Sequence, residues 1–198
     1  MLGVAGVAAA IFMLMFALPY FEMNPEKLAQ YPGREAWIFL HIGTAAVALS
    51  LGPFALWMGL HRRRMAMHRR IGATYMIAIG ISSIAAYYLA LHTALGWVFG
   101  MGLTGLATAW ITTTGLAYVS IRRRLIEQHK EWMIRSYVVT LAFVNFRILV
   151  GLLQGAGVGT LNEQLTAASW FCWAVPLLIT ELILQGRKIW HHGFSAKS

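Results

Sequence analysis

The sequence has few charged residues, very few acidic ones and a single cysteine. Charged side chains make up 12% of the 198 residues and hydrophobic ones 59%. A soluble domain instead has about a quarter charged and just under half apolar residues, so a water-soluble globule is excluded. The lone Cys172 excludes a disulfide framework, a four-cysteine zinc site and a CxxC redox pair.

The motifs of several enzyme classes are also missing. The sequence has no GxSxG, Walker loop, HExxH or paired-carboxylate arrangement, so hydrolase and nucleotide-driven functions have no support. Sixteen basic residues against seven acidic ones give a net charge of +9, which at first suggests nucleic-acid binding. Their positions along the chain favour a different explanation.

Long apolar runs predict helices that cross a membrane. About 20 helical residues span the hydrocarbon core, and backbone groups in lipid must be satisfied within the helix. We therefore predict an all-α polytopic bundle that forms one integral membrane domain, residues 1–198. Its six predicted passes are 4–20, 36–60, 71–91, 96–121, 132–153 and 167–184. The first run also fits a cleaved signal peptide, which would leave five passes.

The basic residues collect at one end of these passes. Thirteen of the sixteen lie between passes two and three, between or just inside passes four and five, or in the tail. The positive-inside rule makes this end cytoplasmic. We predict a multi-pass protein of the bacterial inner membrane with both termini in the cytoplasm. The positive charge then indicates contact with anionic cytoplasmic lipids and not with nucleic acid.

Two loops at the basic end resemble each other. Residues 62–69 read RRRMAMHR, and residues 122–130 read RRRLIEQHK. In each, three arginines end a helix and a histidine with a basic neighbour opens the next. The repeat predicts two tandem hairpins, passes two–three and four–five, related by a pseudo-two-fold axis along the membrane normal. Passes two to five, residues 36–153, then form a four-helix core.

The repeat places His68 and His129 opposite each other across that core. Two facing imidazoles can be axial ligands of a haem iron or two ligands of another metal. They can equally contact lipid phosphate or helix-end carbonyls, and both interpretations stay open.

One face of the predicted fifth pass is polar. At 100° per residue its members fall within about 40° of one line; they are His129, Met133, Ser136, Thr140 and Arg147. Pass three has a partial copy that includes His68 and Tyr75. Such a seam suits a cofactor site, a quinone pocket or a proton path, and it equally suits hydrogen bonds between helices.

Two charges remain inside the passes once loops and helix ends are removed, Arg147 and Glu181. Arg147 lies about 22 Å into its pass at 1.5 Å per residue, in the outer half of the bilayer. Glu181 lies in the inner half and is a poor partner by depth. We predict that His41 and Arg147 form an outer polar cluster, because a charge at membrane depth is costly unless it is paired or lines a cavity.

Two motifs and their spacing resemble an uncharacterised domain-of-unknown-function family of bacterial polytopic membrane proteins. They are HRRIGATY at 68–75 and HKEWMIRS at 129–136. His41, the Gly52-Pro53 pair and Arg147 also match the family's pattern. The resemblance covers about residues 36–153, with pass six outside it. It implies a polytopic helical fold and draws attention to these positions, but it supplies no activity.

The architecture is also similar to transmembrane b-type cytochromes of the ascorbate-reducible kind. These place histidine pairs on alternating helices of a four-helix core, and His68 and His129 match one such pair. A second pair requires a histidine on pass four, which has none. That absence counts against two haems.

These patterns favour a membrane redox protein that binds a haem or a quinone-like cofactor inside the bundle. His68 and His129 are the predicted ligands, whether of haem iron or of another metal. The other predicted cofactor-binding residues are Tyr75, Trp132, Met133, Arg135, Ser136, Thr140, His41 and Arg147. The alternatives are a small proton- or anion-handling transporter and a non-catalytic accessory subunit of a membrane complex, in contact with a partner subunit or a second copy of itself.

Overall fold

A computed structural model describes residues 32–195 of the chain, with side chains as far as residue 190. The predicted pass at 4–20 lies outside the described residues. The regular structure within them consists of six α-helices and no strand, as predicted. The helices are α1 (Glu35–Leu60), α2 (Met65–Leu91), α3 (Trp97–Arg122), α4 (Ile126–Thr140), α5 (Ala142–Gly155) and α6 (Leu161–Ser195).

Several of these helices are suited to crossing a membrane. By length and composition, α1, α2 and the Leu161–Trp190 part of α6 qualify alone, and α4 with α5 make a fourth candidate span. At 26 residues α3 is as long as α1, but its many glycines and threonines make it less apolar. The chain is thus a polytopic helical membrane protein, and the count of six passes stays a prediction.

The predicted pass at 132–153 is a bent pair of helices, which together remain a candidate span. Helix α4 ends at Thr140, α5 begins at Ala142, and the two meet at an angle of 41°. No proline or glycine lies at this break. The Thr140 hydroxyl donates to the carbonyl of Ser136 at 2.9 Å, a type of threonine bond that often bends helices. The predicted polar stripe is therefore split, because Arg147 lies on α5 and the other members lie on α4.

The first four helices form a closed ring. Helix α1 packs on α2, α2 on α3, α3 on α4, and α4 back on α1. Helices α2 and α4 therefore lie diagonally across the bundle, in agreement with two tandem hairpins. Their shared core contains residues from all four helices, among them Ala48, Tyr75, Trp110 and Met133.

Helix α6 adds an outer layer, because it packs against α3, α4 and α5. A second core cluster that includes Phe99, Phe146 and Cys172 fills the space between these helices. Outside the bundle, large apolar side chains are exposed, for example Ile77 at 63% and Leu182 at 65%. Inside it, Ser82 and Ser136 are fully buried. Polar groups inside and apolar groups outside are typical of helices that pack in lipid.

Gly52 explains how closely two helices of the ring approach. A Cβ atom added at Gly52 on α1 would lie 2.3 Å from the ring of Tyr137 on α4 and 3.3 Å from the ring of Tyr75 on α2. A side chain cannot fit there without moving an aromatic ring. The glycine of the Gly52-Pro53 pair therefore has a packing role.

Candidate functional site

The two loops at the basic end begin with the same helix-ending motif. The N–H of Arg63 donates to the carbonyl of Met58 at 3.0 Å, and the equivalent bond in the second loop is 2.9 Å. These bonds define a Schellman motif at the end of α1 and of α3. Arg62 and Arg124 hold its left-handed position, with φ of 49° and 61°. Glycine adopts this conformation freely, whereas another residue is strained by about 1–3 kcal/mol. The match supports the repeat inferred from the sequence.

Each loop is followed by a histidine that is fixed to the preceding helix. His68 Nδ1 lies 3.0 Å from the carbonyl oxygen of Ala55, and His129 Nδ1 lies 2.8 Å from that of Ala117. A carbonyl only accepts, so Nδ1–H is the donor in both. The Nε2 atom of each neutral imidazole then carries a lone pair. Metal-binding histidines are commonly oriented in this way.

One cavity of about 250 Å³ lies between these two histidines. It lies among the last turns of α1 and α3 and the first turns of α2 and α4, and it is partly open to the outside. Both histidines line it, together with Met65, Met133 and apolar side chains. The structure thus brings together His68, His129 and Met133 of the predicted site. The volume lies just below the roughly 300–1,000 Å³ of typical small-molecule sites.

The cavity has too few ligands for a bare metal ion. Among the described residues, no three His, Cys, Asp or Glu side chains are close enough to hold one metal together. Arg62 and Lys130 also line the cavity and would repel a free cation. Two histidines are, however, enough for a haem, because the porphyrin supplies the other iron ligands.

Tyr75, Ser136 and Thr140 do not line this cavity and form a separate buried network. The Tyr75 hydroxyl lies 2.9 Å from both Ser136 Oγ and Thr140 Oγ1. Two residues that sequence analysis did not select join them from α3: Thr114 Oγ1 lies 2.7 Å from Ser136 Oγ, and Trp110 Nε1 donates to Thr140 Oγ1 at 2.9 Å. These bonds connect α2, α3 and α4 in the centre of the ring.

We expect Tyr75→Phe to lower the free energy of unfolding by about 1–3 kcal/mol, because it removes two buried hydrogen bonds that each contribute about 0.5–1.5 kcal/mol. Titration of the folded protein with a denaturing detergent, followed by circular dichroism, measures this change. Tyr87→Phe is the matched control, since the Tyr87 hydroxyl pairs with Thr108 at 2.8 Å at an exposed position. Equal losses in the two variants would contradict a structural role for the buried network.

Arg135 connects α4 to α6. Arg135 is 5% exposed, and its Nη2 lies 2.6 Å from Glu181 Oε2 while its Nη1 lies 3.5 Å from Glu131 Oε2. Its guanidinium also lies 4.7 Å from the Trp132 ring centroid. The sequence places Arg135 at a helix end, and the structure buries it as the ion partner of Glu181.

His41 and Arg147 lie on α1 and α5, on the side of the bundle away from the basic loops. His41 Nδ1 lies 2.9 Å from Ser82 Oγ, which links α1 to α2. The Arg147 guanidinium lies 5.4 Å from the centroid of the Phe143 ring, one turn earlier on α5. A joint outer cluster of His41 and Arg147 stays a prediction.

Comparison with protein families matches residues 38–184 to a family described as predicted membrane protein (DUF2306). The chain belongs to the DUF2306 family. The match continues into α6, whereas the resemblance seen in the sequence was expected to end near residue 153. No curated protein and no solved structure matches this DUF2306 chain. The family description gives only a membrane location. The similarity to b-type cytochromes therefore stays a prediction.

Proposed function

We propose that this DUF2306 protein is a membrane redox protein that binds a haem between His68 and His129. The basic loops face the cytoplasm of a bacterial cell, and the haem site lies at that end of the bundle. One observation carries the proposal: two imidazoles from diagonal helices line one cavity, and each is oriented by an Nδ1–H bond to a carbonyl.

The ligand chemistry favours haem over a quinone-like cofactor. A neutral imidazole that donates through Nδ1 has only a lone pair at Nε2. That atom can ligate iron, but it cannot donate a hydrogen bond to a quinone oxygen. His68 and His129 would therefore hold the haem, which would supply one-electron chemistry when bound.

The remaining residues of the cavity have supporting roles. The carbonyls of Ala55 and Ala117 fix the ring orientation and tautomer of the two histidines, which strengthens them as ligands. Met65 and Met133 contribute apolar side chains to the cavity wall. A transporter is less well supported, because the buried hydroxyls of Tyr75, Ser136 and Thr140 hydrogen-bond one another.

An absorption spectrum tests this function. We expect the full-length protein, produced with added haem and purified in mild detergent, to show a Soret band and a reduced spectrum of the six-coordinate b type. His61→Ala is the matched control: His61 also bonds a carbonyl through Nδ1, at 2.9 Å, but it is exposed and does not line the cavity. Its spectrum should be unchanged. The haem proposal is wrong if no Soret band forms even after reconstitution with haem.

A further inference from the structure

We infer that the ligand of the His68–His129 cavity carries an anionic group, a carboxylate or a phosphate, that binds Arg62 at the loop end of the cavity. This inference rests on the proposed function and specifies the class of ligand. It distinguishes an amphiphile with a negatively charged end from a neutral cofactor.

The first support is that part of the cavity wall is apolar, whereas the part near the loops carries cationic side chains. Its walls are apolar around Leu56, Ile126 and Met133, whereas Arg62 and Lys130 provide cations where helices meet loops. A ligand that exceeds about 250 Å³ must extend beyond the cavity. A ligand that extends out of the cavity on the side of the loops lies next to Arg62 and Lys130.

The second support is that Arg62 is available for a ligand. Lys130 already pairs with Glu127, at 2.7 Å. In the described part of the chain, no acidic side chain forms a salt bridge with Arg62. Arginine binds carboxylate and phosphate groups through two parallel N–H donors, so an anionic ligand would satisfy its exposed guanidinium.

Two sources can supply the anion: the carboxylates of a haem or the phosphate of a membrane lipid. The first arm of the test titrates the full-length protein in detergent with ferric haem and, separately, with its dimethyl ester, in which both carboxylates are neutralised. The variants are Arg62→Gln, Arg62→Lys and the control Arg63→Gln, since Arg63 does not line the cavity. The second arm compares the melting temperatures of the same proteins in phosphatidylcholine and phosphatidylglycerol nanodiscs.

If the haem supplies the anion, Arg62→Gln should raise the Kd for haem about tenfold, as the loss of a charged hydrogen bond predicts. It should leave the Kd for the ester unchanged, and Arg62→Lys should restore much of the affinity. If a lipid supplies the anion, Arg62→Gln should change neither Kd but abolish the stabilisation by phosphatidylglycerol. Either result supports an anionic ligand at Arg62.

The inference is overturned if Arg62→Gln changes neither measurement, or if Arg63→Gln has the same effect as Arg62→Gln. Failure of the proposed function gives a separate result, because neither haem nor its ester would then bind the wild-type protein with histidine ligation. In that case the lipid arm alone decides whether Arg62 binds an anion.

Discussion

Glu181→Leu should lower the free energy of unfolding by about 2–4 kcal/mol. Breaking a buried ion pair commonly costs about 3–5 kcal/mol because it leaves a charge without compensation. Here the Arg135 side chain is 6% exposed and the Glu181 side chain 42% exposed, so we expect an effect about 1 kcal/mol below that range. In this variant Glu131, whose Oε2 lies 3.5 Å from Arg135 Nη1, compensates only part of the Arg135 charge. Unfolding in mixed detergent micelles measures the loss.

Glu127→Leu provides the control for this prediction. Glu127 also pairs with a cation, Lys130, at 2.7 Å, but its side chain is 78% exposed. An exposed pair of this kind contributes less than about 1 kcal/mol. If both variants unfold at the same detergent fraction, Arg135 does not depend on Glu181, and the connection between α4 and α6 has another origin.

Gly102→Ala should destabilise the protein by about 1–3 kcal/mol, the usual cost of overpacking. A Cβ atom at Gly102 on α3 would lie 2.3 Å from Ser169 Oγ and 3.0 Å from the Ser169 carbonyl carbon on α6. Because the backbone is among these neighbours, the two helices must separate. The same unfolding measurement reports the change.

Gly115→Ala in the same helix should have the opposite sign. A Cβ atom there meets nothing within 4 Å, and replacing a helical glycine by alanine stabilises by about 0.5–1 kcal/mol. Stabilisation of equal size at both positions would show that helix propensity, and not the contact between α3 and α6, governs Gly102.

The sequence was sufficient to predict the paired histidines. The positions of the basic residues predicted that both loops lie at one end of the bundle. The repeated RRR–His pattern showed which residues of the two hairpins are equivalent. Since equivalent residues of tandem hairpins lie on diagonal helices, His68 and His129 had to face the same interior. These inferences depend on local features: helix ends, hydrophobic length and spacing.

Other features depend on how the helices cross and could not be predicted this way. Trp110 and Thr114 join the network of Tyr75 because α3 lies beside both α2 and α4. Local sequence patterns do not determine the order of the helices around the ring. The break after Thr140 contains no proline or glycine to reveal it. Arg135 was assigned to the cofactor site by its motif, but its ion partner Glu181 is 46 residues away in sequence.

The most direct test of the haem site is the ferric spectrum of the two single variants His68→Ala and His129→Ala. Two imidazoles on one iron give a six-coordinate, low-spin haem, as we predict for the wild-type protein. Each variant should retain one ligand and become five-coordinate and high-spin, while His61→Ala should stay low-spin. If either His68→Ala or His129→Ala keeps the low-spin spectrum of the wild-type protein, the two histidines do not bind one iron together, and the central claim is contradicted.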